Sequence, residues 1–387
     1  MRVDALTVRD IRNVEQAEIT FDPLLTILCG KNGQGKTNLL ESIWMLTGGK
    51  SFRLAQDSQL LRAGAQETFG TIEGVTQGGG HENHIRVLID KKGQKGKVRT
   101  LRINGAECRN SYEAAGVFTA VVFEPNMMNL IKGGPAERRR FLDAAVSQAS
   151  PSYSRTMREY YTMLGHKNAL LKTYRRKNRQ DETLMDVYDE ALSRTGALIR
   201  KQRLRMLELI LPEAQRTYGD IAGGKEALTY QYSRDLLTAE EWEAEQRTGT
   251  VKLMRDTLNH SQTELYTLLQ KNLEHDLKAG YCSAGPHRDD FWLYIDGKIA
   301  RLYASQGQQR SAVLALKLGE AQALAHETGE HPVMLLDDVL SELDADRQAY
   351  LLSRVAGRQT VLTSCTGELA HQTGGKVLYV EQGKVWE

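Results

Sequence analysis

Gly30, Lys31, Asn32, Gly33, Gln34, Gly35, Lys36 and Thr37 fit the pattern G-x-x-x-x-G-K-[ST]. A loop of this kind holds phosphates. Its glycines let main-chain N–H groups converge on the oxyanion, and the start of the next helix adds partial positive charge. Lys36 would reach the β- and γ-phosphates, and the Thr37 hydroxyl would hold Mg2+. The implied ligand is a nucleoside triphosphate, read here as ATP with Mg2+.

A P-loop needs a carboxylate for its metal on a neighbouring strand. Val333-Met334-Leu335-Leu336-Asp337-Asp338 supplies four apolar residues and then two acids. Asp337 would bind Mg2+, directly or through water, and Asp338 would orient or deprotonate the attacking water. Two acids can also cap a following helix. Lys36 and Asp337 stand 301 positions apart. A small kinase or GTPase would hold these motifs much closer, so a large insertion divides one nucleotide-binding fold.

A second anion-ready segment is Ala304-Ser305-Gln306-Gly307-Gln308-Gln309-Arg310, before an Ala/Leu-rich stretch. Ser305 suits a helix N-cap and Gly307 permits close approach of the main chain. Ser305, Gln306, Gly307 and Gln308 join the candidate nucleotide ligands, although many ordinary helices begin this way.

The elements that must position these groups follow from patterning. Two alternating runs within Val3–Phe21 read as antiparallel strands around a turn at Arg12-Asn13. Leu24–Cys29, Thr119–Phe123, Val333–Leu336 and Thr360–Thr363 read as buried strands. Asn38–Leu46 and about 308–326 have helical spacing. Alternating runs fill about 70–107, with Asn104-Gly105 as a hairpin turn and Gly78-Gly79-Gly80 as a loop tip. Asp296-Gly297 predicts a further hairpin, with Phe291–Ile295 and Lys298–Tyr303 as its strands.

The character changes after Gly133-Gly134-Pro135, where long helical patterns begin. The expected fold is α/β: residues 1–134 and 276–387 form one P-loop ATPase head, and 135–275 form an inserted, mainly helical second lobe. Residues 151–210 hold thirteen Lys and Arg against seven Asp and Glu. This is either a solvated helix face or an arm for nucleic-acid phosphates. Tyr153, Tyr160, Tyr161 and Tyr174 lie among these cations, suited to base stacking or to core packing.

The whole chain of 387 residues carries a net charge of only +2, which excludes an argument from global charge. Four dispersed cysteines form no C-x-x-C pair, and the first ten residues are charged and alternating. No apolar run reaches the ~18 residues that span a bilayer. A reduced, cytoplasmic setting without a membrane is expected.

Several stretches together resemble the RecF family: residues 32–41, Lys50-Ser51-Phe52-Arg53, Gly133-Gly134-Pro135 with Arg138-Arg139-Arg140-Phe141-Leu142-Asp143, Gly285-Pro286-His287-Arg288-Asp289-Asp290, Ser305–Gln309 and Leu336–Asp344. The resemblance is thinnest across 150–270. It implies an ABC/SMC-like head without a long coiled coil, in which Ser305–Gln308 is the signature motif and Ser341–Asp344 the D-loop. It further implies DNA binding (duplex, gapped or junction), an ATP-dependent homodimer, and work with RecR and RecO in loading RecA at single-strand gaps. ATP would act as a switch in a slow, DNA-stimulated ATPase, with Lys36 and Asp338 as catalytic residues.

Two departures from the superfamily pattern suit slow turnover. The second acid is Asp338 rather than Glu, and Thr363-Ser364 stands where a switch histidine is expected. Glu124-Pro125 is the candidate Q-loop. Arg53 could touch DNA or nucleotide, or anchor a loop. Arg138–Arg140 could bind phosphate or support the lobe junction, and His287 and Arg288 could support the site or a lobe contact. His81 and His84 have no further metal ligands nearby and read as solvated.

Overall fold

The computed structural model describes residues 1–53, 56–65, 67–92, 98–108, 111–177, 182–233, 262–366 and 374–387. A six-stranded sheet carries the phosphate loop. Its order is Lys384–Trp386, Lys376–Glu381, Leu25–Cys29, Thr360–Ser364, Val333–Leu336 and Ala120–Phe123. All neighbours run parallel except the edge strand Lys384–Trp386. The four strands from Leu25–Cys29 to Ala120–Phe123 are buried almost throughout because both faces are covered. Leu28, Leu335 and Val361 face one core, while Ile27, Met334, Leu336 and Leu362 face another.

The first core lies against an antiparallel sheet of six strands, beginning with Arg2–Ile11 and Val14–Thr20. Ile11 pairs with Val14 across the Arg12-Asn13 turn, and the hairpins at Gly79-Gly80 and Asn104-Gly105 form where patterning placed them. The helix Lys36–Met45 is sandwiched here, with Leu39, Leu40 and Ile43 fully buried. The helix that follows the phosphate loop is thereby held between two sheets.

The opposite core takes the helix Gln306–Thr328. Leu314, Leu318, Ala321 and Leu324 pack on the parallel sheet, while Ala312, Val313, Ala315 and Leu316 enter the core of the second lobe. This helix is thus the seam between head and lobe, which is why it is buried almost all round.

The second lobe is built on the helices Pro135–Ala149, Pro151–Lys177, Glu182–Ile221, Gln262–Lys271 and Leu273–Ala279. Its small sheet pairs Leu228–Ser233 with Asp290–Ile295, so its core draws a strand from beyond residue 276. Part of the expected insertion, residues 234–261, lies outside the described residues. The Asp296-Gly297 hairpin forms, but only Lys298–Ile299 is strand, and Ala300–Tyr303 is a helical turn rather than its continuation. Burial explains the difference. Ile299 and Ala300 are buried in succession, and Leu302 and Tyr303 are both exposed, which is not a period of two.

The basic run within 151–210 is not a uniform face. Lys167, Arg200 and Arg203 are fully buried and paired with Asp189, Asp289 and Asp143. Tyr153 and Tyr160 are core residues and Tyr174 packs against that core, while Tyr161 is 45% exposed. Among the described residues no helix is long and apolar enough to cross a membrane.

Candidate active site

The carboxyl ends of Leu25–Cys29, Val333–Leu336 and Thr360–Ser364 open side by side, the usual place for a ligand in a parallel sheet. The loop from Gly30 leaves the first of these. Gly33 has φ +81° and Gly35 +115°, values that L side chains rarely adopt. Gly35 caps the helix that carries Lys36 and Thr37.

Lys36 is buried, and its ammonium donates to the carbonyls of Gly30 and Lys31, the latter at 3.2 Å. The lysine thus folds over its own loop, on carbonyls it can exchange for phosphate oxygens. Lys31, Asn32 and Gly33 are exposed at the tip. Gln34 is braced from the far end of the chain: its side-chain oxygen accepts from Gln382 N at 2.7 Å, and its carbonyl accepts from Gly383 N at 2.8 Å.

Thr37 Oγ1 donates to Asp337 Oδ1 at 2.8 Å, which joins the two proposed metal ligands across 300 positions. Burial pushes the Asp337 carboxyl above its ordinary range, opposed by hydrogen bonds from Thr37 and Thr363. A buried acid bonded to the threonine of the phosphate loop fits a divalent ion. Mg2+ commonly takes one or two protein ligands and completes its shell with phosphate and water. Thr37 and Asp337 fit that donor set, and among the described residues no group of three or more His, Cys, Asp or Glu could hold an ion unaided.

Asp338 sits at φ +51°, an uncommon value for a residue with a Cβ. Thr363 holds it there. Its Oγ1 accepts from Asp338 N at 2.8 Å and donates to Asp337 Oδ1 at 3.1 Å, so one hydroxyl spaces both acids. The position where a switch histidine is expected thus shapes the acidic pair. The sequence marks the missing histidine but carries no sign of this role for Thr363.

Glu124 begins the turn after Ala120–Phe123, beside Asp337, whose N–H bonds the Phe123 carbonyl. Burial raises the Glu124 carboxyl to about 7, with Lys317 and Arg53 opposing and Asp337 adding to the rise. Arg53 donates to Asn38 Oδ1 at 2.8 Å, and Asn38 donates to Asn13 at 2.7 Å. Arg53 is exposed and tied to the phosphate-loop helix, so loop anchoring is real and the ligand-facing role stays compatible.

Ser305 caps the helix Gln306–Thr328 reciprocally with Gln308: Gln308 N donates to Ser305 Oγ at 3.2 Å, and Ser305 N to Gln308 Oε1 at 2.8 Å. Arg347 ties this start to the helix Ala345–Val355, bonding Ser311 Oγ at 2.9 Å and the Gly307 carbonyl at 3.4 Å. Ser305 and Gln306 are exposed. Among the described residues no hydrogen bond or ion pair joins Ser305–Gln308 to the phosphate loop. The described hydrogen bonds join loop and acids to each other and leave Ser305–Gln308 out of that network.

The other motif residues are explained by packing. Arg138 grips Asp290 through Nε at 2.7 Å and Nη2 at 2.8 Å, both side chains buried. Arg139 bonds the Asp289 carbonyl at 2.8 Å, whereas Arg140 is exposed beside Glu137. His287 meets the Tyr160 hydroxyl at 2.6 Å and the Cys282 carbonyl at 3.0 Å. Burial lowers its imidazole to about 4, so it is neutral at pH 7. Arg288 lies over the Tyr281 ring.

The sequence matches the family model for the RecF/RecN/SMC N terminal domain over residues 2–380. The DNA replication and repair protein RecF of Desulfitobacterium hafniense (strain DSM 10664 / DCB-2) is 34% identical over 100% of this chain and 99% of its own length. This chain belongs to the RecF family. Its likeness to RecF of Bacillus subtilis (strain 168) is also 34%, over 96% of each chain. A solved recombination mediator protein RecF–ATP of the RecFOR pathway superposes with a TM-score of 0.85 at 31% identity, covering 99% of this chain and 96% of that one. An SMC head bound to the winged-helix domain of ScpA shares the fold alone, with a TM-score of 0.51 at 14% identity. The RecF fold is thus an ABC-type ATPase head carrying its own second lobe.

Proposed function

We propose that this RecF-family chain is an ATP-gated, DNA-binding ATPase of recombinational repair and replication maintenance. The observation that carries the reading is a split site. Gly30–Thr37, Asp337 and Asp338 form one half. The capped start Ser305–Gln308 stands apart from it, with Leu302 and Tyr303 exposed at 54% and 59% beside it. A second copy would bring its Ser305–Gln308 onto the γ-phosphate held by the first, and the two apolar side chains would be covered in the same step.

On binding, Lys36 exchanges the carbonyls of Gly30 and Lys31 for phosphate oxygens. Thr37 and Asp337 would hold Mg2+, which would supply charge neutralisation at the phosphates. Asp338, spaced by Thr363, orients the attacking water. An aspartate reaches less far than a glutamate, and no histidine stands at position 363, so turnover is slow and ATP acts as a ligand favouring the closed dimer. Closure aligns basic surfaces on DNA, and hydrolysis releases them. The solved RecF–ATP protein is a recombination mediator of the RecFOR pathway, which supports RecR and RecO as partners here. Recombinase loading at single-strand gaps is the outcome.

The test is DNA retention with and without ATP. Lys36→Ala is expected to lose the ATP-dependent part, and unchanged ATP-stimulated retention would sink the gating scheme. Phosphate release should rise when DNA is added to the native chain.

A further inference from the structure

A cleft of about 1180 Å³ lies between the antiparallel sheet and the helical lobe, and none of residues 30–37 lines it. Arg99, Leu101, Cys108, Val122 and Gln148 contribute to its walls, with Lys50 exposed among them. The Arg99 side chain is 10% exposed. Its Nη1 donates to the Gly49 carbonyl at 2.7 Å, and Asp57 stands 4.0 Å from the same nitrogen. Its Nε and Nη2 are buried and have no hydrogen-bond partner among the described residues. Gln148 adds a third such donor: its Oε1 accepts from Ala120 N at 2.9 Å, while its Nε2 has no partner among the described residues.

Four other arginines show what that guanidinium edge does when it is matched. Arg12 on Glu41, Arg138 on Asp290, Arg200 on Asp289 and Arg203 on Asp143 each use Nε and Nη2 to grip a carboxylate. The two parallel N–H bonds of this edge match the oxygen pair of a carboxylate or phosphate. At Arg99 the edge is present, desolvated and empty. A buried guanidinium matched on one side only is costly, so any state that satisfies its other edge is favoured. Burial accordingly lowers the Arg99 pKa.

We propose that this cleft binds a small organic oxyanion, a carboxylate or a phosphoester, gripped by the Nε–Nη2 edge of Arg99 with Lys50 at the rim. The unpaired groups of Arg99 and Gln148 in its wall are donors, which selects an acceptor. Most acids along the cleft have cations of their own: Asp143 has Arg203, Glu137 has Arg140 and Glu320 has Lys317. The volume suits a metabolite-sized ligand with room for solvent. The Gly49-Lys50 turn meets the guanidinium through the Gly49 carbonyl.

Thermal unfolding of the full chain tests this in a Lys36→Ala background, which weakens phosphate binding at the nucleotide loop. The probes are inorganic phosphate, citrate and neutral glycerol. One or both anions should raise Tm with saturation, and glycerol should not follow that curve; which anion acts at lower concentration distinguishes phosphate from carboxylate. Arg99→Met should leave the anion-free Tm near the native value, because the buried guanidinium it removes is only half matched, and should raise the half-saturating concentration at least tenfold. Lys50→Ala, a surface change, should weaken the response several-fold and gives the same reading if Arg99→Met does not fold. An anion response untouched by either substitution, or no response from the Lys36→Ala chain, overturns the proposal.

Discussion

Replacing Thr363 by valine removes one oxygen and little else. The substitution keeps the β-branched shape and the strand. It deletes the hydrogen bond to Asp337 Oδ1 at 3.1 Å and the acceptor for Asp338 N at 2.8 Å. A hydrogen bond to a charged group contributes about 1.5–3 kcal/mol, and a left-handed residue with a Cβ costs about 1–2 kcal/mol that its surroundings must hold. Asp338 loses that restraint, and Asp337 keeps the Thr37 hydroxyl. If the loss falls on the reacting arrangement, kcat drops about 10- to 100-fold, at about 1.4 kcal/mol per decade. The assay is single-turnover hydrolysis at saturating Mg-ATP, with urea unfolding of the same protein as a check on folding. Thr363→Ser should retain turnover within about threefold, since it keeps the oxygen. A Thr363→Val chain that hydrolyses at the native rate would refute the claim that Thr363 spaces the acids.

Other perturbations probe the frame around the site. Asp289→Asn leaves the buried Arg200 guanidinium without its counter-charge and should cost about 3–5 kcal/mol in urea unfolding; a midpoint at the native value would contradict its structural role. Glu124 is raised to about 7 by burial, so between roughly pH 4.5 and 7 the native chain holds more protons than the unfolded one, and stability falls as pH rises through that window. The carboxyl is partly exposed, so its share is about 1–2 kcal/mol, less than the full shift implies. Glu124→Gln should flatten that part of the stability curve, and an unchanged pH slope would count against it.

The parts of the site legible in sequence are those whose chemistry is local. A phosphate loop must place its glycines, lysine and threonine within eight consecutive positions, and the paired acids must end a buried strand. What sequence could not show is created by pairing between distant strands. Thr363 meets Asp337 only because Leu336 pairs with Leu362, and nothing local marks this threonine. Gln34 is held by Gln382 and Gly383, in a terminal hairpin that alternation did not reveal because Val377-Leu378-Tyr379-Val380 is apolar without a break. Arg138 and Asp290 stand 152 positions apart, so their motifs look like sites until the lobe's core brings them together. The basic run within 151–210 is only partly a surface feature, since burial consumes Lys167, Arg200 and Arg203 and a charge count carries no burial.

The central claim is that one chain holds only half of the nucleotide's surroundings. Sedimentation velocity of Asp338→Asn, which should bind ATP without turning it over, measures this most directly. With Mg-ATP the chain is expected to move from monomer to dimer, and Ser305→Arg, at the exposed capped start, should block that shift while ATP still binds. A chain that stays monomeric with ATP at every concentration, or a Ser305→Arg chain that dimerises as before, would contradict the account.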